Sequence, residues 1–431
     1  MLKAPGGKKR PRRLGLIVAV SLAALGLALS IALPIVLPVF HFPQPGGPFS
    51  VGTLTYPWVD VNRAEVFSAD ASARRELIVQ IWYPARTGPP SSSSSPRARY
   101  VQDADALAQA FSRLRRSPQF IFTPLKYVTT HAMPGAPVAV DRPNYPVLIF
   151  LEGAMGFRQM NTFQVEALVS QGYIVAAIDQ PYTAASVVFP DGREVGALPL
   201  KQMMPLIHQS YSPSAIAPTL NARAFENGII PYLAQDVIFT LNQLAALNQA
   251  DPNSILTGRL DLLRVGTLGV SLGAIVGSEA CRIELRLRAC LFMDAPMPVD
   301  VVKSGLQQPA MWFTRDAETM RLERRRSGGW SEAEIGAHQT SMRAAFEKLH
   351  GAGYFVQVPG MFHVNLTDIP YWSPLLPWLG VIGPISAVRA HDIINDYSIA
   401  FFNKHLLGRS QALLEGPSSL YPEVVFDARH P

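Results

Sequence analysis

The pattern of apolar and polar positions becomes regular from about residue 145, where short apolar runs alternate with longer amphipathic segments. The short runs are rich in β-branched and aromatic residues and end at Gly, Asp or Thr, which is typical of buried strands. This alternation predicts an α/β fold in which a mostly parallel sheet is covered by helices on both faces. The predicted strands are "YPVLIFLEG" ending at Gly153, "YIVAAID" (173–179), "VGTLGV" (265–270), "ACLFMD" ending at Asp294, "PAMWFT" ending at Thr314 and "YFVQVPG" ending at Gly360.

The remaining elements are predicted in the same way, from hydrophobic periodicity and from the residues that typically begin or end an element. A strand is expected over 75–84, and an amphipathic helix with an acidic start and a basic end over 103–116. The Ser-rich segment 86–96 reads as a surface loop, and a long, less regular insertion follows Asp179. Further helices are expected over 231–247, directly after Ser271, over 331–349 and over about 391–407.

An uncharged apolar run over residues 14–40 precedes this pattern, and a basic segment precedes the run. The run exceeds the roughly 20 residues that cross a bilayer and the roughly 7–15 of a signal-peptide core. We therefore expect a transmembrane signal anchor with its basic end in the cytoplasm. The predicted organisation is a basic cytoplasmic tail (1–13), a signal anchor (14–40), a linker (41–50) and one extracytoplasmic domain (51–431). A long cleaved signal, which would make the protein secreted, is the alternative.

Charge and cysteine content narrow the range of functions. The chain has a net charge of +6, and six basic residues lie within residues 1–13, so the rest of the chain is neutral. A neutral body argues against nucleic acid as a partner. Cys281 and Cys290 either pair in an oxidising compartment or remain buried thiols. The spacing of the two cysteines does not indicate a metal site, and the chain contains no H-x-x-x-H pattern. We therefore expect no metal and no cofactor.

The stretch "VGTLGVSLGAIVG" contains the candidate nucleophile, Ser271. A reactive serine between a strand and a helix occupies a sharp, strained turn, and Gly269 and Gly273 would relieve the crowding on each side. The helix N-terminus behind it would supply free N–H groups and partial positive charge for an oxyanion. The alternative is a serine that only caps the helix between closely packed glycines.

A serine hydroxyl needs a base and an orienting acid, which follow it in α/β-hydrolases in the order Ser, acid, His. His363 follows the last strand of the series on a loop and is the expected base. His391 and His405 fall within the last predicted helix, where structural or solvated positions are expected, and His338 and His350 flank another helical pattern. For the acid, Asp294 and Asp316 each end a predicted strand, and spacing alone does not decide between them.

Several motifs in order resemble bacterial members of the plasma-type, isoform II platelet-activating factor acetylhydrolase family of α/β-hydrolases. The similar segment extends over about residues 51–407 and consists of "VGTLTYPWVDVNR", "RRELIVQIWYPA", "LEGAMGFRQ", "AAIDQPYTAASVVFPDG", "GVSLGA", "LFMDAPM" and "GMFHVN". The resemblance implies a triad of Ser271, Asp294 and His363, because this family carries its acid in the "LD"-like end of the strand after the nucleophile helix. It implies oxyanion donors at the backbone N–H groups of Ala154 and Leu272.

The resemblance also implies an activity, the calcium-independent hydrolysis of carboxylic esters. The typical substrates are phospholipids whose sn-2 acyl chain is short or oxidised. The expected partners are therefore an ester or phospholipid substrate and a membrane, on the periplasmic side of a bacterial inner membrane. Glu152 and Val270 depart from the family pattern, where His is common at both positions. The apolar segment 372–386 is a lid, a lipid-facing patch or core, and we favour core.

Two other functions remain open at this point. A general carboxylesterase or polyesterase acting on soluble or polymeric esters would use the same residues. A membrane-tethered binding protein without activity would retain the fold alone. A metal-dependent hydrolase is disfavoured, because the chain lacks clustered metal-ligand motifs. The oligomeric state has no signature in the sequence.

Overall fold

A single ten-stranded sheet forms the centre of the protein in the computed structural model, which describes residues 11–86 and 96–430. Most of the predicted basic tail and of the Ser-rich loop lies outside the described residues. The strand order is β14-β13-β12-β11-β10-β4-β5-β2-β1-β3. The strands are β1 (Ser50–Ala64), β2 (Arg74–Ala85), β3 (Met133–Pro134), β4 (Tyr145–Leu151), β5 (Ile174–Asp179), β10 (Leu260–Val270), β11 (Leu287–Met293), β12 (Ala310–Thr314), β13 (Gly353–Gln357) and β14 (Val425–Arg429).

The middle of the sheet is parallel and its margins are largely antiparallel. Strands β5, β4, β10, β11, β12 and β13 run parallel in that spatial order, whereas β2 and β14 flank them in antiparallel pairs. The predicted mostly parallel sheet is therefore confirmed. Two short hairpins lie in the insertion after β5, formed by β6 (Ser186–Val188) with β7 (Glu194–Gly196) and by β8 (Thr219–Leu220) with β9 (Arg223–Ala224).

Helices cover both faces of this sheet, as the apolar runs predict. All seven residues of β4 are buried, and they alternate between two hydrophobic clusters. Burial on both faces explains why such strands read as unbroken apolar runs. The helices are α1 (Pro11–Val36), α2 (Ala104–Arg115), α3 (Thr162–Ser170), α4 (Leu200–His208), α5 (Ile230–Gln249), α6 (Leu272–Ile283), α7 (Val299–Ser304), α8 (Ala317–Ser327), α9 (Glu332–Glu347) and α10 (Ala387–Leu407).

Helix α1 stands apart from this layered body. Residues Gly15–Val36 have a mean hydropathy of 2.6 and none of the span is buried, so length and composition would suit a membrane span or a signal sequence. The chain joins the body immediately afterwards, because Phe40 and Phe42 are buried against Tyr100 and Tyr371. The start of the predicted linker is thus packed into the body.

The apolar segment 372–386 differs from the expectation that it is core. Trp378 is 88% exposed and Leu379 is 63% exposed, whereas Ile382 and Gly383 are buried. The preference for core is therefore wrong for the first half of the segment. Proline and glycine interrupt the segment and prevent a regular element that could turn all its apolar residues inward.

The two cysteines form a disulfide that links α6 to β11. Cys281 and Cys290 are separated by nine residues along the chain, and both are buried. The bond therefore fastens the helix that follows Ser271 to the strand that precedes Asp294.

We predict that replacing both cysteines by serine lowers the free energy of unfolding by about 2–3 kcal/mol, because the cross-link closes a short loop and restricts the unfolded chain. Urea unfolding of the oxidised wild type, the reduced wild type and the Cys281→Ser/Cys290→Ser variant measures this. The reduced wild type and the variant should lose similar stability, and an unchanged unfolding midpoint in both would contradict the prediction.

Candidate active site

Ser271 occupies a strained turn between β10 and α6. Its φ is 56° and its ψ is −121°, a backbone conformation that residues with a side chain rarely adopt. Its N–H donates to the carbonyl oxygen of Met293 at the end of β11, at 2.9 Å. The strand–turn–helix arrangement expected for a nucleophile elbow is thus present at this serine.

The two glycines beside Ser271 are required by close backbone approach. A Cβ at Gly273 would lie 2.1 Å from the carbonyl oxygen of Leu151, where β4 ends. A Cβ at Gly269 would lie 2.4 Å from the carbonyl oxygen of Gly273. Both distances are far below any van der Waals contact, so larger residues would displace the helix from the sheet.

Two backbone amides lie where the sequence predicts oxyanion donors. The loop after β4 lies against the serine, because a Cβ at Gly153 would be 3.2 Å from the Cβ of Ser271. In this loop Met155 donates to Thr183, and among the described residues no acceptor is bonded to the amide of Ala154. Leu272 is the first residue of α6, and the first amides of a helix have no partner within the helix. Both amides are therefore free to bind an oxyanion.

His363 and Asp294 are brought together from two different strand ends. Asp294 directly follows β11 with a φ of 52°, and His363 begins a short 3-10 helix after β13. The Nδ1 atom of His363 lies 2.5 Å from Oδ2 of Asp294. Ser271 and His363 line the same cavity, although no hydrogen bond joins their side chains in the described part of the chain. Catalytic hydrogen bonds are often loose before substrate binds.

Asp316, the alternative acid, has a different environment. Its carboxylate accepts from the N–H of Thr319 at 2.7 Å and from the Thr319 hydroxyl at 2.6 Å, which caps α8. The contact with His363 is made by Asp294 instead.

Two cavities flank Ser271. The first, here called the His363 cavity, has a volume of about 280 Å³ and is lined by His363, Arg115 and apolar side chains that include Leu114, Phe122 and Trp372. The second, called the Trp330 cavity, has a volume of about 230 Å³. It is lined by Trp330, Met204, Tyr211, Leu272 and Glu334, among others. Both cavities include Ser271 and Ala154, so a bound molecule could extend to either side of the serine.

The arrangement of strand ends, elbow and paired His363 and Asp294 is that of an α/β-hydrolase, and comparison with known proteins identifies the family. The sequence model for platelet-activating factor acetylhydrolase, isoform II, matches residues 35–412. The chain belongs to this family. It is a carboxylic ester hydrolase, and the resemblance of its motifs to this family is confirmed.

Relatives of this acetylhydrolase-family esterase cover most of its length. A probable 1-alkyl-2-acetylglycerophosphocholine esterase of Arthroderma benhamiae is 24% identical over 90% of this chain and 94% of its own. The platelet-activating factor acetylhydrolase of Gallus gallus is 22% identical over 65% of this chain and 67% of its own. Among solved structures, a ferulic acid esterase from Streptomyces cinnamoneus matches with a TM-score of 0.69 and 27% identity, covering 90% of this chain and 99% of its own.

The carboxylate of Asp294 is surrounded by groups that sequence reasoning did not identify. Arg315 is fully buried, and its Nε lies 2.6 Å from Oδ2 of Asp294. The same guanidinium pairs with Glu323, whose other oxygen accepts from the backbone N–H of His363 at 3.3 Å. Buried His338, on α9, places its Nε2 3.2 Å from Oδ1 of Asp294.

These neighbours determine the charge of the acid. Burial alone would raise the pKa of Asp294, but Arg315, then His338 and His363, outweigh it and hold that pKa well below its usual range. Burial lowers the pKa of His338, which favours its neutral form. Asp294 is therefore ionised across the neutral range, as an acid that orients a histidine must be.

Glu152, one of the departures from the family pattern, is buried at the start of the loop after β4. Its Oε1 accepts from the backbone N–H of Gln180 at 3.1 Å, and its other oxygen has no partner among the described residues. Burial, reinforced by nearby Asp179, raises the pKa of Glu152 well above its usual value. The glutamate therefore holds the loop after β4 to the end of β5.

We predict that Arg315→Met lowers the free energy of unfolding by about 3–5 kcal/mol, because it leaves two carboxylates buried without their cation. Arg321→Met is the control, since Arg321 is only half-buried and forms its ion pairs with the exposed Glu318 and Glu332. Urea unfolding at neutral pH compares the two variants. If both variants lost the same free energy of unfolding, the buried ion pairs of Arg315 would contribute no more than the surface pairs of Arg321, and the prediction would be wrong.

His391 supports the segment behind His363 and generates a pH prediction. Its Nε2 lies 3.1 Å from the carbonyl oxygen of Asn365 and 3.0 Å from that of Thr367, and its ring stacks on Phe163. Burial lowers the pKa of His391 to about 4. The unfolded chain therefore binds a proton at higher pH than the folded protein does.

Stability should consequently fall as pH drops from about 6.5 towards 4, with about 2 kcal/mol lost through His391 by pH 5. His391→Gln should remove that part of the slope in urea unfolding measured between pH 7 and 5. The variant His350→Gln, which removes an exposed histidine, controls for the loss of a histidine as such. An unaltered slope in His391→Gln would contradict the prediction.

Proposed function

We propose that this esterase uses Ser271 as nucleophile, His363 as general base and acid, and Asp294 as the orienting carboxylate. The proposed reaction is calcium-independent hydrolysis of acyl esters, with short or oxidised sn-2 acyl chains of phospholipids as the preferred class. The observation that carries this proposal is the 2.5 Å contact between His363 Nδ1 and Asp294 beside a serine held at positive φ.

The first half of the reaction forms an acyl-enzyme. His363 takes the proton of Ser271 as the serine oxygen bonds to the ester carbonyl carbon, and the carbonyl oxygen becomes an oxyanion held by the amides of Ala154 and Leu272. The bond to the alcohol oxygen then breaks, and His363 returns its proton to that oxygen. Asp294 keeps the imidazole in the required tautomer and stabilises its charged form.

Water completes the cycle on the acyl-enzyme. His363 takes a proton from water as the water oxygen bonds to the acyl carbon, and the same two amides hold the second oxyanion. The bond to Ser271 then breaks, the serine recovers its proton, and the carboxylic acid leaves. No metal or cofactor takes part in this scheme.

The substrate class rests on the relatives. The Arthroderma benhamiae relative is named a probable 1-alkyl-2-acetylglycerophosphocholine esterase, which favours phospholipid esters for this chain. The solved structure from Streptomyces cinnamoneus is a ferulic acid esterase, so esters of aromatic acids form the second candidate class. Rates on short-sn-2 phospholipids and on feruloyl esters, measured side by side, distinguish the two classes.

The proposed location is the outer side of a membrane. Helix α1 is long and apolar enough to anchor the protein, and the basic residues before it favour a cytoplasmic N-terminus. Cleavage of the same helix as a signal would leave a secreted esterase with the same site.

We predict that Ser271→Ala reduces kcat by at least a thousandfold on 4-nitrophenyl acetate, because no other group replaces the covalent nucleophile. The variant should also lose labelling by a fluorophosphonate probe. Both are measured on purified protein whose circular dichroism matches the wild type.

Ser278→Ala is the matched control, since Ser278 lies on α6 seven residues away and its hydroxyl donates to the carbonyl of Ile275. Labelling and turnover should survive in this variant. Turnover that persists in Ser271→Ala would refute the role of Ser271.

A further inference from the structure

The two cavities beside Ser271 are not equivalent, because His363 lines only one of them. His363 lines the His363 cavity and is absent from the described lining of the Trp330 cavity, which instead lies against Leu272 at the start of α6. In acyl transfer the histidine gives its proton to the departing alcohol oxygen, so that oxygen has to lie on the histidine side of the carbonyl carbon.

We propose that the Trp330 cavity binds an uncharged acyl group, and that the His363 cavity binds the alcohol group, which carries a phosphate or another anion. This assignment rests on the proposed function, since it needs Ser271 as nucleophile and His363 as proton donor. It adds the orientation of the substrate and the charge of each half.

The charges at the two cavities favour the same orientation. Arg115 lines the His363 cavity and is exposed, so its guanidinium can meet an anionic group of the alcohol. Glu334 lines the Trp330 cavity, and the N–H of Ser331 bonds to its carboxylate at 2.6 Å. That bond holds the pKa of Glu334 below its usual value, so an ionised carboxylate lies at the rim of the Trp330 cavity beside His208 and would repel a second carboxylate.

The His363 cavity also lies on the side of the apolar helix α1. Trp372 lines this cavity, and the hydroxyl of the next residue, Ser373, donates to the carbonyl of Val36, the last residue of α1, at 2.5 Å. An alcohol group with a long hydrocarbon chain would therefore extend towards apolar surface of the protein itself.

A pair of matched variants tests the orientation. Met204 on α4 and Leu114 on α2 are both half-buried apolar residues, and each lines one cavity only. Met204→Trp should lower the ratio of kcat/KM for 4-nitrophenyl octanoate to that for 4-nitrophenyl acetate at least tenfold. Leu114→Trp should instead lower the corresponding ratio for octyl acetate to methyl acetate. The reverse pattern, or no change in either ratio, overturns the assignment.

A second measurement tests the charge of the acyl group. We expect wild type to prefer 4-nitrophenyl pentanoate to mono-4-nitrophenyl glutarate, in which the acyl chain has the same length and ends in a carboxylate, by at least tenfold in kcat/KM. Glu334→Gln should reduce that preference at least threefold, and glutamine retains the hydrogen-bonding geometry at the start of α9.

Glu332→Gln is the control for this measurement, because Glu332 lies two residues earlier on α9 and outside the lining of the Trp330 cavity. Its preference should equal that of wild type. A preference unchanged in Glu334→Gln overturns the charge assignment. Failure of the proposed function would look different, since wild type would then hydrolyse none of these esters or Ser271→Ala would hydrolyse them all.

Discussion

The close contact between the backbone of α6 and the ends of β4 and β10 is the constraint on which the site depends. Gly273 faces the carbonyl of Leu151 at a distance that excludes any side chain, and this contact brings the helix N-terminus up to the sheet. The position of the helix holds Ser271 at positive φ in the turn between β10 and α6. Strain at one residue is sustained because two strands and a helix packed around it permit no other path.

Buried charged groups also hold the site in place. Asp294 is removed from water entirely, and an isolated carboxylate there would take up a proton rather than remain ionised. Arg315 compensates, and because it also pairs with Glu323, which accepts from the backbone N–H of His363, one guanidinium connects Asp294 to the segment carrying His363. Asp294 and His363 are thus positioned by one connected set of ion pairs and hydrogen bonds.

Local pattern was sufficient for the parallel strands and for Ser271, since buried strands and the G-x-S-x-G turn are specified by neighbouring residues. Strand-end position did not distinguish Asp294 from Asp316; the family resemblance implied Asp294, and the packed structure shows that Asp294 contacts His363 whereas Asp316 caps a helix. The sequence did not indicate that Arg315 and His338 lie beside Asp294, because a charged residue near a strand end and a histidine in an amphipathic helix usually lie at the surface. For Trp378 the opposite error occurred: the side chain was expected in the core and is exposed, because hydrophobicity alone does not reveal which apolar side chains stay exposed.

The burial of Phe40 and Phe42 has a consequence for maturation of the chain. These rings stack and pack with Tyr100 and Tyr371, so they belong to the interior although they follow the apolar helix by only a few residues. A peptidase that releases the esterase has to cut before Phe40, because a later cut would remove a ring that packs in the interior and would expose its aromatic neighbours to solvent. Proteolytic processing is therefore confined to the chain ahead of Phe40.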